Sequence, residues 1–303
     1  MYNMYNVARG EIARGCELCL TGAKAVIFIT GLCRYRCFYC PVDKERFGRD
    51  VVYVNDVPAR GIEEIVEMVV GTAAVGAAIT GGDPLAVPDR VAEVSKALKD
   101  ALGPSFHIHL YTRATSLDAY AVSRLIEGNV DEVRIHLISR GEALGREKYL
   151  EALKHLGVSV GVEVPAVPGL ERSIAEAVNY LAERGLIDFV NINELDVSES
   201  NASALKTLGF RIKSDGVAGS IESAMRLMGL IKGVPVHVCR SKSKDLYQIG
   251  ARAFRDAMTS AKPNELVLDD GSIKYSEDGL HPNDLRAGGI RIKIFLGGRI
   301  LEV

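Results

Sequence analysis

Three cysteines lie close together in the segment TGLCRYRCFYCP, at positions Cys33, Cys37 and Cys40. This C-x3-C-x2-C spacing places three soft thiolate ligands on one short loop, where they can hold three corners of an iron-sulfur cluster. The fourth iron then has no protein ligand, and an open coordination position is what a catalytic metal needs. A structural zinc knuckle that recruits one more cysteine or histidine is the alternative interpretation.

The same loop resembles the cluster-binding loop of the radical S-adenosylmethionine (radical SAM) superfamily. That family shares the spacing and prefers an aromatic residue before the last cysteine, which is the position of Tyr39 here. The resemblance implies a 4Fe-4S cluster whose unique iron binds the amino and carboxylate groups of SAM. It also implies that reduction cleaves SAM to a 5'-deoxyadenosyl radical, which abstracts a hydrogen atom from the substrate while the protein supplies position and exclusion.

A glycine-rich segment, ITGGDPL, follows the next predicted strand. It resembles the GGE-type motif of the same family, with Asp83 in place of the more usual glutamate. The resemblance implies that Gly81, Gly82 and Asp83 border the methionine amino group of SAM, since glycine lets a backbone approach a ligand closely. A tight turn without a ligand is the alternative, because Gly-Gly-Asp-Pro is also favourable turn chemistry.

Polar side chains near the carboxyl ends of later predicted strands are further candidates for cofactor binding, because barrel enzymes build their sites there. They are Thr112, Arg113, Ser139, Glu163, Asn191 and Asn193. Arg113 either forms a bidentate pair with the carboxylate of SAM or caps a helix at the surface. The run NINELDVSES, which contains both asparagines, either contacts SAM ribose or substrate or is a solvated loop.

The remaining three cysteines suggest a second metal centre. Cys16 and Cys19 form a C-x2-C pair upstream of the first strand, and Cys239 ends the last predicted strand of the barrel. If the first and last strands approach each other, the three thiols converge. They would then hold an auxiliary iron-sulfur cluster with one open iron, or a zinc ion together with His237 or another residue. In a third interpretation Cys239 is simply a small buried hydrophobic residue.

The elements that must position these residues alternate regularly. From Ala25 onward, runs rich in valine and isoleucine alternate with amphipathic segments, which predicts a parallel sheet with crossover helices. Strands are predicted at residues 25–30, 77–80, 107–112, 132–137, 158–164 and 188–193, with a seventh at 234–239. The pattern alone fits a barrel or a doubly wound sheet.

Together with the radical SAM resemblance, this pattern predicts an α/β fold with a partial (β/α)6 TIM-like barrel over residues 25–239. A short cysteine-containing segment, residues 1–24, precedes the predicted barrel. A small helix and β extension, residues 240–303, follows it, because short β-like pieces there are separated by glycine and aspartate turns.

Composition excludes several classes of protein. The chain has 303 residues, 25% of them charged, and a net charge of −2, so no global charge indicates a nucleic-acid or membrane-surface protein. The N-terminus lacks the apolar region of a secretory signal and no apolar run is long enough to span a membrane, which predicts a cytoplasmic protein. Six clustered cysteines favour metal ligation over a disulfide framework.

The overall pattern of motifs resembles an archaeal radical SAM group related to pyruvate formate-lyase activating enzyme. This implies a protein or peptide substrate, such as a glycyl-radical protein, and an electron donor such as ferredoxin or flavodoxin. An RNA (tRNA) modifying enzyme is an alternative, because basic residues at 240, 242, 244, 252 and 255 could contact an RNA backbone. A non-enzymatic iron-sulfur or zinc redox module is another, and it predicts no cleavage of SAM.

Overall fold

A computed structural model describes residues 6–213, 216–263, 265–275, 291–296 and 299–302. The strands are β1 (Asn6–Arg9), β2 (Lys24–Thr30), β3 (Tyr53–Val54), β4 (Val57–Pro58), β5 (Gly76–Gly81), β6 (His107–Arg113), β7 (Glu132–His136), β8 (Ser159–Pro165), β9 (Phe189–Asn193), β10 (Ile212–Lys213), β11 (Gly216–Val217), β12 (Val236–Cys239), β13 (Leu266–Val267), β14 (Ser272–Tyr275), β15 (Arg291–Leu296) and β16 (Arg299–Glu302).

The α-helices are α1 (Arg14–Leu20), α2 (Gly61–Val70), α3 (Pro88–Leu102), α4 (Ala119–Glu127), α5 (Arg140–Ala143), α6 (Glu147–His155), α7 (Glu171–Ala182), α8 (Ala202–Thr207), α9 (Ser220–Leu230), α10 (Ser241–Ser243) and α11 (Ala251–Ser260). Single 3-10 turns occupy Pro84–Ala86 and Ala114–Ser116, and a π-helical segment runs from Lys244 to Gly250. α10, the π-helical segment and α11 follow one another without a break.

The central sheet has ten strands in the order β1-β12-β9-β8-β7-β6-β5-β2-β3-β4. Seven of them, from β12 to β2 in that order, pair in parallel. β1 pairs antiparallel with β12 at one edge, and the β3-β4 hairpin covers β2 at the other. The α/β partial-barrel prediction is confirmed, and all seven predicted strands are present.

The two faces of these strands differ in chemistry because side chains alternate along a strand. One face is apolar: Ile27, Ile79, Leu110 and Ile135 are fully buried in the main core cluster. Outer helices such as α2 and α3 complete that cluster with their apolar stripes. The opposite face carries polar side chains, and it is this inner face that is available for a site.

Helix α1, which precedes the first barrel strand in the sequence, packs against the inner face of the sheet. Gly15 makes this possible, because a Cβ there would lie 2.4 Å from His109 Nδ1 and 2.6 Å from Arg134 Nη2. Its backbone N–H donates to Glu132 Oε2 at 3.1 Å. This packing places the cysteines of α1 inside the barrel. The sequence predicted that the thiols would converge only through the approach of the first and last strands, and it did not predict the packing of a helix on the inner face.

The described C-terminal strands β13 to β16 form a separate antiparallel sheet, and β10 pairs with β11. β1 of the N-terminal segment joins the main sheet through its pairing with β12. The division into residues 1–24, 25–239 and 240–303 stays a prediction. Among the described residues, none of the helices combines the length and the apolar character needed to cross a bilayer.

Candidate functional site

A cavity of about 370 Å³ lies where the parallel strands end. It is lined from β5, β6, β7, β8 and β9 and from the loop after β2, so it occupies the carboxyl edge at which barrel sites form. It contains these sequence-predicted residues: Cys33, Cys37, Tyr39, Cys40, Gly81, Gly82, Asp83, Thr112, Arg113, Glu163 and Asn193. The fold thus gathers eleven candidates from five separate segments of the chain.

The three thiols of the cysteine loop are free and half-buried in the cavity wall. Cys33 Sγ accepts a hydrogen bond from the backbone N–H of Tyr35 at 3.4 Å, and Cys37 Sγ accepts one from Arg113 Nη1 at 3.2 Å. Burial raises the pKa of Cys33 and of Cys40. Three free thiols on one loop, supported by N–H donors, fit the ligand chemistry of an iron-sulfur cluster.

Tyr39 is buried behind this loop. Its hydroxyl lies 2.8 Å from His136 Nε2, and burial raises its pKa above the usual value. His136 Nδ1 lies 3.2 Å from the backbone carbonyl of Glu163, so the ring connects the cysteine loop to the end of β8. Burial lowers the pKa of His136 to about 4, which keeps the imidazole neutral at neutral pH.

The packing of the cysteine loop requires Gly81, the last residue of β5, and Gly82, which follows it. A Cβ on Gly81 would lie 2.2 Å from the carbonyl oxygen of Thr30, and one on Gly82 would lie 2.5 Å from that of Leu32. The backbone N–H groups of Gly82 and Asp83 donate to those same two carbonyls at 2.8 Å. The glycine pair therefore lets two cavity loops contact each other directly, and its predicted contact with SAM stays a prediction.

Asp83 is held by hydroxyl groups. Its Oδ1 accepts from Thr112 Oγ1 at 2.7 Å and from the backbone N–H of Leu85 at 3.3 Å, while Oδ2 accepts from Ser116 Oγ. Only 5% of the residue is exposed. Arg113 follows Thr112 on the strand and lines the cavity. Its guanidinium pairs with Glu142, so a carboxylate of the protein already balances its charge.

A second, smaller cavity of about 100 Å³ adjoins the first and is lined by Cys16, Cys19, His237 and Cys239. Burial raises the pKa of Cys239 to about 12 and that of Cys16 further. The two cavities share five lining residues: Tyr111, Arg134, Glu163, Asn193 and Lys244. The structure therefore brings the second cysteine set together, next to the first site.

A buried ion network forms the wall between the cavities. Arg134 is 2% exposed and pairs with Glu132 at 2.5 Å and with Glu163 at 2.7 Å. It also donates from Nη2 to Cys16 Sγ at 3.3 Å. The other carboxylate oxygen of Glu163 accepts from Asn193 Nδ2 at 2.8 Å. One arginine thus balances the buried carboxylate of Glu132 and the partly buried carboxylate of Glu163, and it contacts a thiol of the second cavity.

Two predicted residues have other positions. Asn191 lines the second cavity and not the first, and Ser139 lines neither, lying directly before α5. Sequence reasoning missed Arg134, Tyr111 and Lys244. Arg134 left a usable signal, because a charged residue in the apolar strand EVRIHL must find buried partners. Among described residues, no three Cys, His, Asp or Glu side chains are grouped closely enough to hold a single metal ion.

The sequence of residues 27–192, more than half of the chain, matches the model of the radical SAM superfamily. The chain belongs to that superfamily, whose members use a 4Fe-4S cluster and SAM. It is 36% identical over 278 residues to a protein of Methanocaldococcus jannaschii named "Putative glycyl-radical enzyme activating enzyme". That alignment covers 87% of this chain and 72% of the relative.

Two solved structures also align with this chain, and the second of them is described as a radical SAM enzyme. SuiB of Streptococcus suis bound to S-adenosylmethionine is 14% identical, with a TM-score of 0.49, over 68% of this chain and 46% of SuiB. Coproporphyrinogen III oxidase of Escherichia coli is 11% identical, with a TM-score of 0.42, over 96% of this chain and 70% of the oxidase. The chain spans less than half of the SuiB chain that it matches.

Proposed function

We propose that this radical SAM enzyme acts like an activating enzyme, abstracting a hydrogen atom from a protein or peptide substrate. The observation that carries the proposal is the cavity at the carboxyl edge of the sheet, where the cysteine loop meets the Gly81-Gly82-Asp83 loop. The 36% identity to the M. jannaschii relative supports the activase-like assignment. In this proposal, Cys33, Cys37 and Cys40 hold the 4Fe-4S cluster.

When bound, the cluster and SAM supply the 5'-deoxyadenosyl radical. The protein's part is to bind, orient and exclude water. Asp83, anchored through Thr112 and Leu85, presents a carboxylate suited to the methionine amino group. Glu163 and Asn193, which hydrogen-bond each other at the strand ends, offer polar atoms to the ribose or to the substrate. Arg113 donates to Cys37 and thereby orients that thiol.

Cleavage of SAM tests the enzymatic class. After anaerobic reconstitution and dithionite reduction, the wild-type protein is expected to convert SAM to 5'-deoxyadenosine. A variant in which all three loop cysteines are replaced by alanine is expected to produce none, while Cys239→Ser, which leaves the loop intact, keeps the loop-bound cluster. Full reconstitution without any 5'-deoxyadenosine would instead favour a non-enzymatic redox module.

Isotope transfer tests the substrate class. Extract of deuterated cells is divided by size, and the macromolecular fraction is treated with protease or with RNase before incubation with enzyme and unlabelled SAM. We expect deuterium in 5'-deoxyadenosine from the macromolecular fraction, with loss of this label after protease treatment and no loss after RNase treatment. Loss after RNase alone would contradict the protein substrate and favour RNA.

The basic C-terminal segment gives little support to RNA binding. Lys244 pairs with Asp196 at 2.5 Å, Arg240 lies 4.0 Å from Glu194, and Arg255 donates to the carbonyl of Ala73 at 3.0 Å. Of the five basic residues at positions 240, 242, 244, 252 and 255, Lys242 is the exposed one. Charges engaged by the protein are less available to a phosphate backbone.

We further propose a second metal centre held by Cys16, Cys19 and Cys239, with iron-sulfur favoured over zinc. Zinc ligands converge on one ion at about 2.3 Å, whereas the cysteines of a cluster each bind a different iron and lie further apart. All three cysteines line the second cavity, yet among the described residues no three Cys, His, Asp or Glu side chains are close enough to hold a single metal ion. This arrangement supports the cluster. Iron and zinc counts in Cys16→Ala/Cys19→Ala test it, and values equal to wild type would rule it out.

A further inference from the structure

The imidazole of His237 is buried without any partner. The residue is 5% exposed, and neither ring nitrogen makes a hydrogen bond to any of the residues that the structure describes. A buried polar group left unpaired keeps the full cost of its lost hydration, so native proteins rarely retain one without reason. Here two such atoms belong to one ring, and the ring faces a cavity lined by cysteines.

His237 lines the same cavity as the thiols of Cys16, Cys19 and Cys239. His237 and Cys239 are two residues apart on β12, so their side chains point to the same face of the sheet. Cys16 and Cys19 are three apart on α1 and share one face of that helix. The strand and the helix thus present two potential ligands each to one cavity.

Most of the other polar side chains that line this cavity are already engaged. Glu163 binds Arg134 and Asn193, Lys244 binds Asp196, and the hydroxyl of Tyr111 lies 3.0 Å from His109 Nε2. Asn191 Oδ1 is also buried and has no partner among the described residues. An amide oxygen, however, is a hard ligand suited to magnesium or calcium, whereas imidazole suits iron.

We propose that His237 is the fourth ligand of the second centre, which is an iron-sulfur cluster closed by Cys16, Cys19, Cys239 and His237. This inference rests on the second centre proposed above and specifies it. A cluster with four protein ligands has no open iron for a substrate. Its chemistry is then the exchange of one electron, for instance with a ferredoxin or flavodoxin, and no bond to the cluster forms or breaks.

Nitrogen hyperfine coupling tests the ligand directly. Full-length protein with Cys33, Cys37 and Cys40 replaced by alanine carries only the second centre. It is produced in cells supplied with 14N- or 15N-labelled histidine and then reconstituted with iron and sulfide. The reduced centre is expected to show coupling to a histidine nitrogen that changes with the label. His237→Cys is expected to abolish that coupling, keep the iron, and lower the reduction potential, because a thiolate adds negative charge.

His109→Asn is the matched control, because His109 is also buried, with an Nδ1 that has no partner among the described residues, but does not line the cavity. The coupling is expected to persist in that variant. The same measurement is made on wild-type protein that contains labelled histidine, in the presence of SAM, so that no cysteine is substituted. Cyanide added to the triple-alanine protein is expected to leave the spectrum unchanged, since no iron is open.

Separate outcomes overturn the two levels of this proposal. If wild type binds more iron than the first cluster requires but shows no histidine coupling, His237 is not a ligand although the second centre stands. A cyanide-induced change of the spectrum contradicts the closed centre. If the iron of Cys16→Ala/Cys19→Ala equals that of wild type, or zinc replaces the additional iron, the iron-sulfur centre itself is wrong.

Discussion

Arg134 Nη1 donates to Glu163 Oε2 at 2.7 Å, and this ion pair forms part of the wall between the two cysteine-lined cavities. Both residues belong to the inner face of neighbouring strands, β7 and β8. Because Arg134 also pairs with Glu132 and contacts Cys16, one guanidinium links the first site, the second site and helix α1. We therefore expect substitutions in this wall and in the loops around it to change stability or SAM cleavage.

Removal of the guanidinium in Arg134→Met is expected to destabilise the protein by about 3–5 kcal/mol, since the buried carboxylate of Glu132 and the partly buried one of Glu163 lose their partner. Chemical denaturation under anaerobic conditions measures the change. Arg226→Met is the control: Arg226 pairs with Glu171 but is 58% exposed, so a loss of only about 0–1 kcal/mol is expected. Equal losses in both variants would contradict the role of Arg134.

Gly82→Ala is expected to separate the loop after β5 from the cysteine loop, because the new Cβ would lie 2.5 Å from the carbonyl oxygen of Leu32. We expect lower iron retention and a fall in SAM cleavage of about tenfold or more, which corresponds to about 1.4 kcal/mol. Gly229→Ala in helix α9 meets no described atom within 4 Å and should leave both quantities unchanged. Full iron and activity in Gly82→Ala would show that the two loops tolerate separation.

Thr112→Val removes the hydroxyl that donates to Asp83 Oδ1 at 2.7 Å. Because both groups are buried, the expected destabilisation is about 1–3 kcal/mol. If Asp83 binds the amino group of SAM, KM for SAM rises more than kcat falls. Thr207→Val, whose hydroxyl donates to the carbonyl of Ser203 at an exposed helix end, is the control. An unchanged KM in Thr112→Val would separate Asp83 from SAM binding.

Acidification is expected to destabilise the metal-free protein between pH 6.5 and about 3. Burial and the nearby charge of Lys24 lower the pKa of His107 from 6.5 to about 3. In that interval the unfolded state binds a proton at His107 that the folded state does not, so the free energy of unfolding falls as the pH falls. His109, with its pKa lowered in the same direction, adds to the effect.

Denaturant titrations of wild type and His107→Gln at several pH values measure this dependence. The variant is expected to show a shallower loss of stability between pH 6.5 and about 3, because it lacks one of the titrating groups. His155→Gln is the control, since His155 is exposed on α6. A pH dependence identical to wild type in His107→Gln would contradict the assignment.

The buried strands and the cysteine loop are recognisable in the amino-acid sequence itself. Strands such as AVIFIT and VPVHVC are short apolar runs between turn residues, and local hydrophobicity is sufficient to specify them. The short strand β1 has no such signal. Its residues, Asn6–Arg9, carry no strong pattern, and they become a strand only by pairing with β12. Pairing of this kind depends on a partner more than 200 residues away.

The residue types and spacing of Cys33, Cys37 and Cys40 already specify soft-metal chemistry, because three thiols within eight residues must share one loop. The second cavity is different. Cys16 and Cys239 are distant in sequence, and their approach depends on Gly15 allowing α1 to pack on the inner face. The buried Arg134, with partners on three elements, likewise acquires its role from long-range packing, which no local pattern encodes.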